Sequence, residues 1–146
     1  MRLKEKLHYH AHSAWDKETG GTADTGNFHV PFDMPEEYGG KETAPCPDQL
    51  FLAGITGCLM NTFLFYKNEL GTETLDIKVD ADAEITLKTP HGYRMTGIDI
   101  RIDIRSDEEN LELNRKCAES ARDFCHITKS IEASIPTKVD IKIHEN

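Results

Sequence analysis

The stretch Ala44-Pro-Cys-Pro-Asp-Gln-Leu-Phe-Leu-Ala-Gly-Ile-Thr-Gly-Cys-Leu-Met-Asn-Thr-Phe-Leu-Phe-Tyr66 is the one long apolar run in the chain, and a cysteine stands near its centre. Pro47 suits a first helical turn, where its missing N–H would be unpaired anyway, and Asp48 favours the positive end of the helix dipole. These signals predict a helix from about Cys46 to Asn68, stopped by Gly71. From Leu50 to Tyr66 apolar residues fall on every face. Such a helix has to be covered nearly all round, by sheet, by another helix or by a second subunit. Gly54, Thr56, Gly57, Asn61 and Thr62 interrupt the run too often for a membrane span.

Gly54 and Gly57 lie one turn and one residue before Cys58. They weaken the helix but remove bulk, so that another backbone or a reactant can approach the sulfur. Cys58 is then either a small buried hydrophobe or a thiol with room around it, and spacing alone does not choose between the two.

The rest of the chain reads as strands and one further helix. Leu3, Leu7, Tyr9, Ala11 and Trp15 oppose Lys4, Lys6, His8, His10 and His12, which predicts a half-buried strand from Leu3 to Trp15. The three histidines share one face at spacings of about 7 Å, close enough for neighbours to meet a metal, although a wet strand face accounts for them equally. Asp16 to Asn27 reads as a turn, Phe28 to Phe32 as a short strand, and Met34 to Pro45 as a connecting loop of the kind that often covers a site or a neighbouring subunit. Leu75 to Lys88 and Ile98 to Arg105 alternate apolar and charged residues around a Pro90-His-Gly92 turn, which predicts a hairpin. Ser106-Asp-Glu-Glu109 has the form of a capping box, opening a helix with Leu113, Cys117, Ala121 and Phe124 as its inner stripe. Cys117 is thereby assigned to the core. Cys125 falls where this helix ends, at a turn that can expose a side chain to another thiol. Pro136 leads into a last strand through Val139, Ile141 and Ile143.

Strands, a buried helix, a hairpin, a second helix and a final strand make an α+β chain, read as a single domain over residues 1–146. With 17 Lys and Arg against 26 Asp and Glu the net charge is −9, and the absence of a basic cluster argues against nucleic acid or an anionic membrane as partner. The N-terminus has no apolar signal region, so a cytoplasmic location is expected. In that compartment the 4 cysteines point to redox chemistry or burial rather than to a disulfide framework. No C-x-x-C pair is present to suggest structural zinc, and neither a metal nor a cofactor is expected.

Gly39-Gly-Lys41, Pro47-Asp-Gln-Leu-Phe-Leu-Ala-Gly54, Gly57-Cys-Leu-Met60 and, after a charged helix, Phe124-Cys-His-Ile-Thr-Lys-Ser-Ile131 occur in this order. The pattern resembles the OsmC/Ohr superfamily of osmotically inducible and organic hydroperoxide resistance proteins, and the match runs from Tyr38 onward. The resemblance implies an OsmC-like fold of antiparallel sheets with a buried central helix and a second helix, in an intertwined homodimer. It also implies a peroxidatic cysteine at Cys58, a resolving cysteine at Cys125, and a role in the oxidative stress response. Two departures accompany it. Asp48 stands where the family has a helix-start glutamate that orients an arginine, and no arginine occurs between Arg2 and Cys58. Without a nearby cation the Cys58 pKa is expected to stay near or above about 8.5.

Two functions follow from the resemblance. In one, Cys58 and Cys125, with Asp48, reduce an organic hydroperoxide in an apolar pocket of Phe51, Leu59, Met60 and Phe63, and a small or protein dithiol recycles the enzyme. In the other, a non-catalytic relative binds a small apolar ligand or acts as a dimeric module, its cysteines only buried. A cation such as Arg94, or Arg2 of a second copy, within reach of the Cys58 sulfur would favour the first. Cys46, at the helix N-cap where the family more often has asparagine, is a weaker cap, and is either a second thiol of lowered pKa or a tolerated substitution.

Overall fold

The computed structural model describes residues 4–145; Arg2 and Leu3, which figure in the expectations above, lie outside the described residues. The chain divides into two compact units, one ending at Phe51 and the other beginning at Leu52.

The first unit holds a three-stranded antiparallel sheet of β1 (His12–Trp15), β2 (Gly20–Thr25) and β3 (Phe28–Asp33), in the order β1-β2-β3. Two expectations are corrected here. The first strand covers only the last four residues of the alternating segment, and Leu7, Tyr9 and Trp15 are exposed rather than half-buried. Alternation marks which residues share a face, but nothing in this unit is packed on that face to hold the earlier residues in a strand. Gly20–Thr25, read as a turn, is the central strand, because pairing on both sides satisfies its backbone whatever its weak propensity. The actual turn is Gly26-Asn27. His12 does not line up with His8 and His10 along a strand. It faces Asp24 across the ladder at 3.5 Å, and His29 bonds the same carboxylate from the other side.

The loop after β3 is organised by a buried carboxylate. Asp33 accepts hydrogen bonds from the Thr19 hydroxyl (2.7 Å), the Met34 N–H (2.8 Å), and the Thr43 N–H and hydroxyl (2.9 and 2.7 Å). The Thr43 side chain contributes most to holding its pKa far below the usual carboxylate range. Residues Glu36–Tyr38 make a 3-10 turn, and a side chain at Gly40 would collide with the Met34 carbonyl, so only glycine lets the chain fold back there.

The second unit contains β4 (Asp76–Leu87), β5 (Tyr93–Ser106) and β6 (Thr137–Glu145) in the order β4-β5-β6, with α2 (Leu111–Phe124) and α3 (His126–Ile131) between β5 and β6. The long helix α1 (Pro47–Leu70) enters it from Leu52 on. The hairpin β4-β5 forms as its alternation predicts, with Val79 opposite Ile102 and Ala81 opposite Ile100. β6 adds to β5 in parallel, so the sheet is not antiparallel throughout. The α2–α3 crossover supplies the long connection that a parallel pair needs. Ile98, Ile100, Ile102 and Ile104 form the buried face of β5, and Ile55, Leu59 and Phe63 of α1 join them in one cluster with Cys117, Ala118 and Ala121 of α2. On the other face Arg101 meets Asp80 and Asp103, and Arg105 meets Asp76. α1 has the length and apolar composition of a membrane-crossing helix, yet Ile55, Leu59 and Phe63 are fully buried against the sheet.

Both ends of α1 are built as their residues dictate. The Cys46 N–H donates to the Gln49 side chain at 2.9 Å, which compensates for a cysteine at the cap. At the other end Gly71 (φ 64) lets its own N–H reach Asn68 and the Thr72 N–H reach Lys67, a Schellman closure. The predicted capping box is not formed. Asp107, not Ser106, accepts the Asn110 N–H, a 3-10 turn (Glu108–Asn110) intervenes, and α2 begins at Leu111. Ser106 is instead buried, accepting from the Asn114 amide at 2.8 Å. Asn114 also donates to the Glu73 carbonyl (2.8 Å) and accepts from Thr74 (2.6 Å). This network draws Asn114 inward and rotates the buried stripe of α2 to Asn114, Cys117, Ala118 and Ala121. Phe124, expected inside, is 62% exposed and lies against Tyr66 with ring centres 5.8 Å apart.

Two outcomes are expected. Asn114→Ala should cost about 2–3 kcal/mol in denaturant unfolding, because it strands buried partners; a loss within error of zero would show that the network contributes nothing net. Asp33 has a depressed folded pKa, so its contribution is present above the unfolded value of about 3.9 and is lost as pH falls below it. The thermal midpoint should therefore drop between about pH 4 and pH 2. Asp33→Asn should start lower at pH 7 and follow pH less steeply; parallel curves would refute the assignment.

Candidate functional site

Cys58 sits midway along α1, on the side that faces the start of α3. It is 9% exposed, while Cys125, the residue joining α2 to α3, is fully buried. That corrects the expectation of an exposed Cys125: its backbone turns at φ −63 and ψ 110, but the side chain points into the core. The turn is fixed from both sides. The Cys125 N–H donates to Ala121 (3.0 Å), and its carbonyl accepts from the Lys129 N–H (3.0 Å) and the Thr128 hydroxyl (3.1 Å).

The two thiols interact, although they come from different elements. Burial raises the Cys58 pKa, and the neighbouring Cys125 thiol raises it further; the Ile127 N–H and the Thr62 hydroxyl pull the other way without reversing it. Burial and the second thiol both favour the neutral thiol. Cys117 is fully buried within the core cluster, as expected, and burial pushes its thiol up as well. All four cysteines are unbridged.

The residue that sequence reasoning missed is His126. Its ring nitrogens lie 3.7 and 4.0 Å from the Cys58 sulfur. The available signal was its position directly after Cys125, but adjacency in sequence does not say what a side chain will face. The Arg94 guanidinium is turned to the Tyr93 carbonyl at 2.7 Å. Arg2 lies outside the described residues.

The remaining named residues are placed as follows. Asp48 stands in the first turn of α1. Leu59 and Phe63 are buried in the core cluster, Met60 is half-buried, and Phe51 is exposed. Gly54 and Gly57 are exposed, and beyond the helix's own backbone no described residue would lie within 4 Å of a Cβ added at either, so this face of α1 next to Cys58 is open. Among the described residues no group of His, Cys, Asp and Glu is arranged to hold a metal ion.

Comparison with known proteins agrees with this fold. The chain is 18% identical over 141 residues to the uncharacterized protein YmaD of Bacillus subtilis (strain 168), covering 93% of this chain and 94% of that one. It is 22% identical over 124 residues to the organic hydroperoxide resistance protein-like 2 of Staphylococcus saprophyticus, covering 84% and 85%. The fold superposes with a TM-score of 0.75 on the crystal structure of an organic hydroperoxide resistance protein OsmC from Legionella pneumophila, at 20% identity and with 95% and 99% of the two chains covered. Residues 39–140 match the family described as OsmC-like protein, a stretch that includes Asp48, Cys58, Cys125 and His126, and the chain belongs to that family.

Proposed function

We propose that this protein is a thiol-dependent peroxidase that reduces organic hydroperoxides in the cytoplasm, with Cys58 as the peroxidatic and Cys125 as the resolving cysteine. The observation that carries this reading is the meeting of two buried, unbridged thiols at the start of α3. The Cys58 thiolate attacks the distal oxygen of the hydroperoxide, the O–O bond breaks and the alcohol departs, leaving a sulfenic acid. Cys125 then condenses with it, releasing water and forming a disulfide that an external dithiol reduces. Cys125 has no access to solvent, which restricts its first partner to Cys58.

The substrate class follows from the side chains around the sulfur's helix. Met60 is half-buried beside the buried Leu59 on α1, apolar surroundings that suit an alkyl or aryl hydroperoxide better than hydrogen peroxide. The open Gly54 and Gly57 face of α1 and the exposed Leu7, Tyr9, Trp15 and Phe28 support a homodimer in which a second copy covers them. Asp48, assigned the orienting role of the family's glutamate, is then supplied by the second copy. In this reading the two units act together as one OsmC-like domain.

The raised Cys58 pKa supports a second reading, a dimeric ligand-binding relative whose cysteines are only buried. Turnover separates the two. Cys58→Ser should reduce consumption of cumene hydroperoxide with a dithiol to the rate of buffer alone, while Cys117→Ala stays close to wild type. One equivalent of hydroperoxide should remove two thiols per chain and give a Cys58–Cys125 link on peptide mapping, and Cys125→Ser should stop at the sulfenic acid. Equal activity in wild type and Cys58→Ser, or a link between Cys46 and Cys58, would reject the mechanism. Light scattering should give twice the 16.5 kDa chain mass at micromolar concentration, and a monomer would remove the shared site.

A further inference from the structure

We propose that His126 is the catalytic base of Cys58: its imidazole takes the thiol proton, pairs with the thiolate, and returns the proton to the departing alkoxide. This rests on the peroxidase reading and supplies what that reading lacks, a group that makes a thiolate from a buried thiol.

The geometry leaves few alternatives. The groups around the Cys58 sulfur are the Cys125 thiol, the Ile127 N–H, the Thr62 hydroxyl and His126. An N–H or a hydroxyl can donate a hydrogen bond to a thiolate but does not take up its proton near neutral pH, and a second thiol competes for the same charge. Imidazole alone both accepts a proton in that range and is a cation afterwards. Four cations of the neighbouring segments are bound elsewhere: Arg122 to Asp123, Lys129 to Glu132, Lys67 to Glu73, and Arg94 to the Tyr93 carbonyl.

Its placement suits proton transfer. Nδ1 is the nearer ring nitrogen, 3.7 Å from the sulfur, and it is the acceptor when the ring proton sits on Nε2. The ring is exposed while Cys58 is 9% exposed, so His126 can exchange protons with water on behalf of a sulfur that water barely reaches. The backbone beneath it is fixed, because the Ser130 hydroxyl donates to the His126 carbonyl at 2.6 Å and Cys125 is held at both of its backbone groups. Among the described residues the titratable groups facing Cys58 are thus Cys125 and His126.

The balance is complete. The Cys58 proton passes to imidazole, the sulfur forms a bond to the distal oxygen as the O–O bond breaks, and the electron pair leaves with the alkoxide. Imidazolium then protonates the alkoxide to the alcohol and is neutral again.

The test reads the thiolate without peroxide. Alkylation of Cys58 by iodoacetamide, followed by peptide mass mapping from pH 5 to pH 11, should be about 10²-fold slower in His126→Asn than in wild type at pH 7. The two should converge at the alkaline end, where hydroxide makes the thiolate unaided. Thiolate absorbance at 240 nm should show a neutral-pH step in wild type that the variant lacks, and circular dichroism should confirm that the exposed substitution leaves the fold intact. Superimposable alkylation and absorbance profiles overturn the assignment of His126. Loss of neutral-pH alkylation in His126→Asn supports it even if wild type consumes no hydroperoxide, in which case the peroxidase reading is what falls.

Discussion

Everything in the second unit depends on how α1 lies against the isoleucine face of β5. Ile55, Leu59 and Phe63 recur at helical spacing and meet Ile98, Ile100, Ile102 and Ile104, which recur at strand spacing. Each such side chain gains roughly 1.5–3 kcal/mol by leaving water, so the seam fixes the rotation of α1 about its axis. That rotation settles the rest. With Ile55 and Leu59 inward, Cys58 falls at the margin of the seam, close to α3 and barely open to solvent, while Gly54 and Gly57 fall on the open side.

The same packing that positions the sulfur works against its chemistry. Burial favours the neutral thiol, and a second thiol at its side favours it further. A thiol at the rim of a core is stable and poorly nucleophilic unless something nearby lowers the cost of its charge. Among the described residues the Ile127 N–H and the Thr62 hydroxyl act in that direction without reversing the shift, and the imidazole at the start of α3 lies 3.7 Å from the sulfur. Since Cys125 precedes His126, the turn that buries the Cys125 thiol also aims the imidazole, and one backbone conformation serves both.

Legibility in the sequence followed how local the cause was. The ends of α1 were readable because Pro47 and Gly71 act on their own turns, and the β4-β5 hairpin because period-two alternation is a property of the strand itself. Long-range causes were not readable. Ser106 has the sequence context of a cap, but a buried Asn114 eight positions on competes for its hydroxyl and wins, moving the cap to Asp107. Gly20–Thr25 has the composition of a turn and is a central strand because neighbours pair with it on both sides. In the site, the positions of Cys58 and Cys125 were marked by family resemblance; the histidine beside them was visible in the sequence, yet its contact with Cys58 is made by the tertiary fold.

With no arginine between Arg2 and Cys58 in the sequence, the imidazole is the partner to set against the guanidinium that the family resemblance implies. A guanidinium stays charged at every physiological pH and holds a thiolate by fixed electrostatics, whereas an imidazole carries charge only while it holds a proton. A thiolate paired with imidazolium exists between the pKa values of the two partners, so its population has a lower as well as an upper pH limit. The surface position of His126 adds a second difference. Whatever covers that surface, a second copy or a bound substrate, removes water from the imidazole and so alters the pair directly. A thiol that relied on the proposed His126 would respond to what covers that surface, as one beside a permanently charged partner would not.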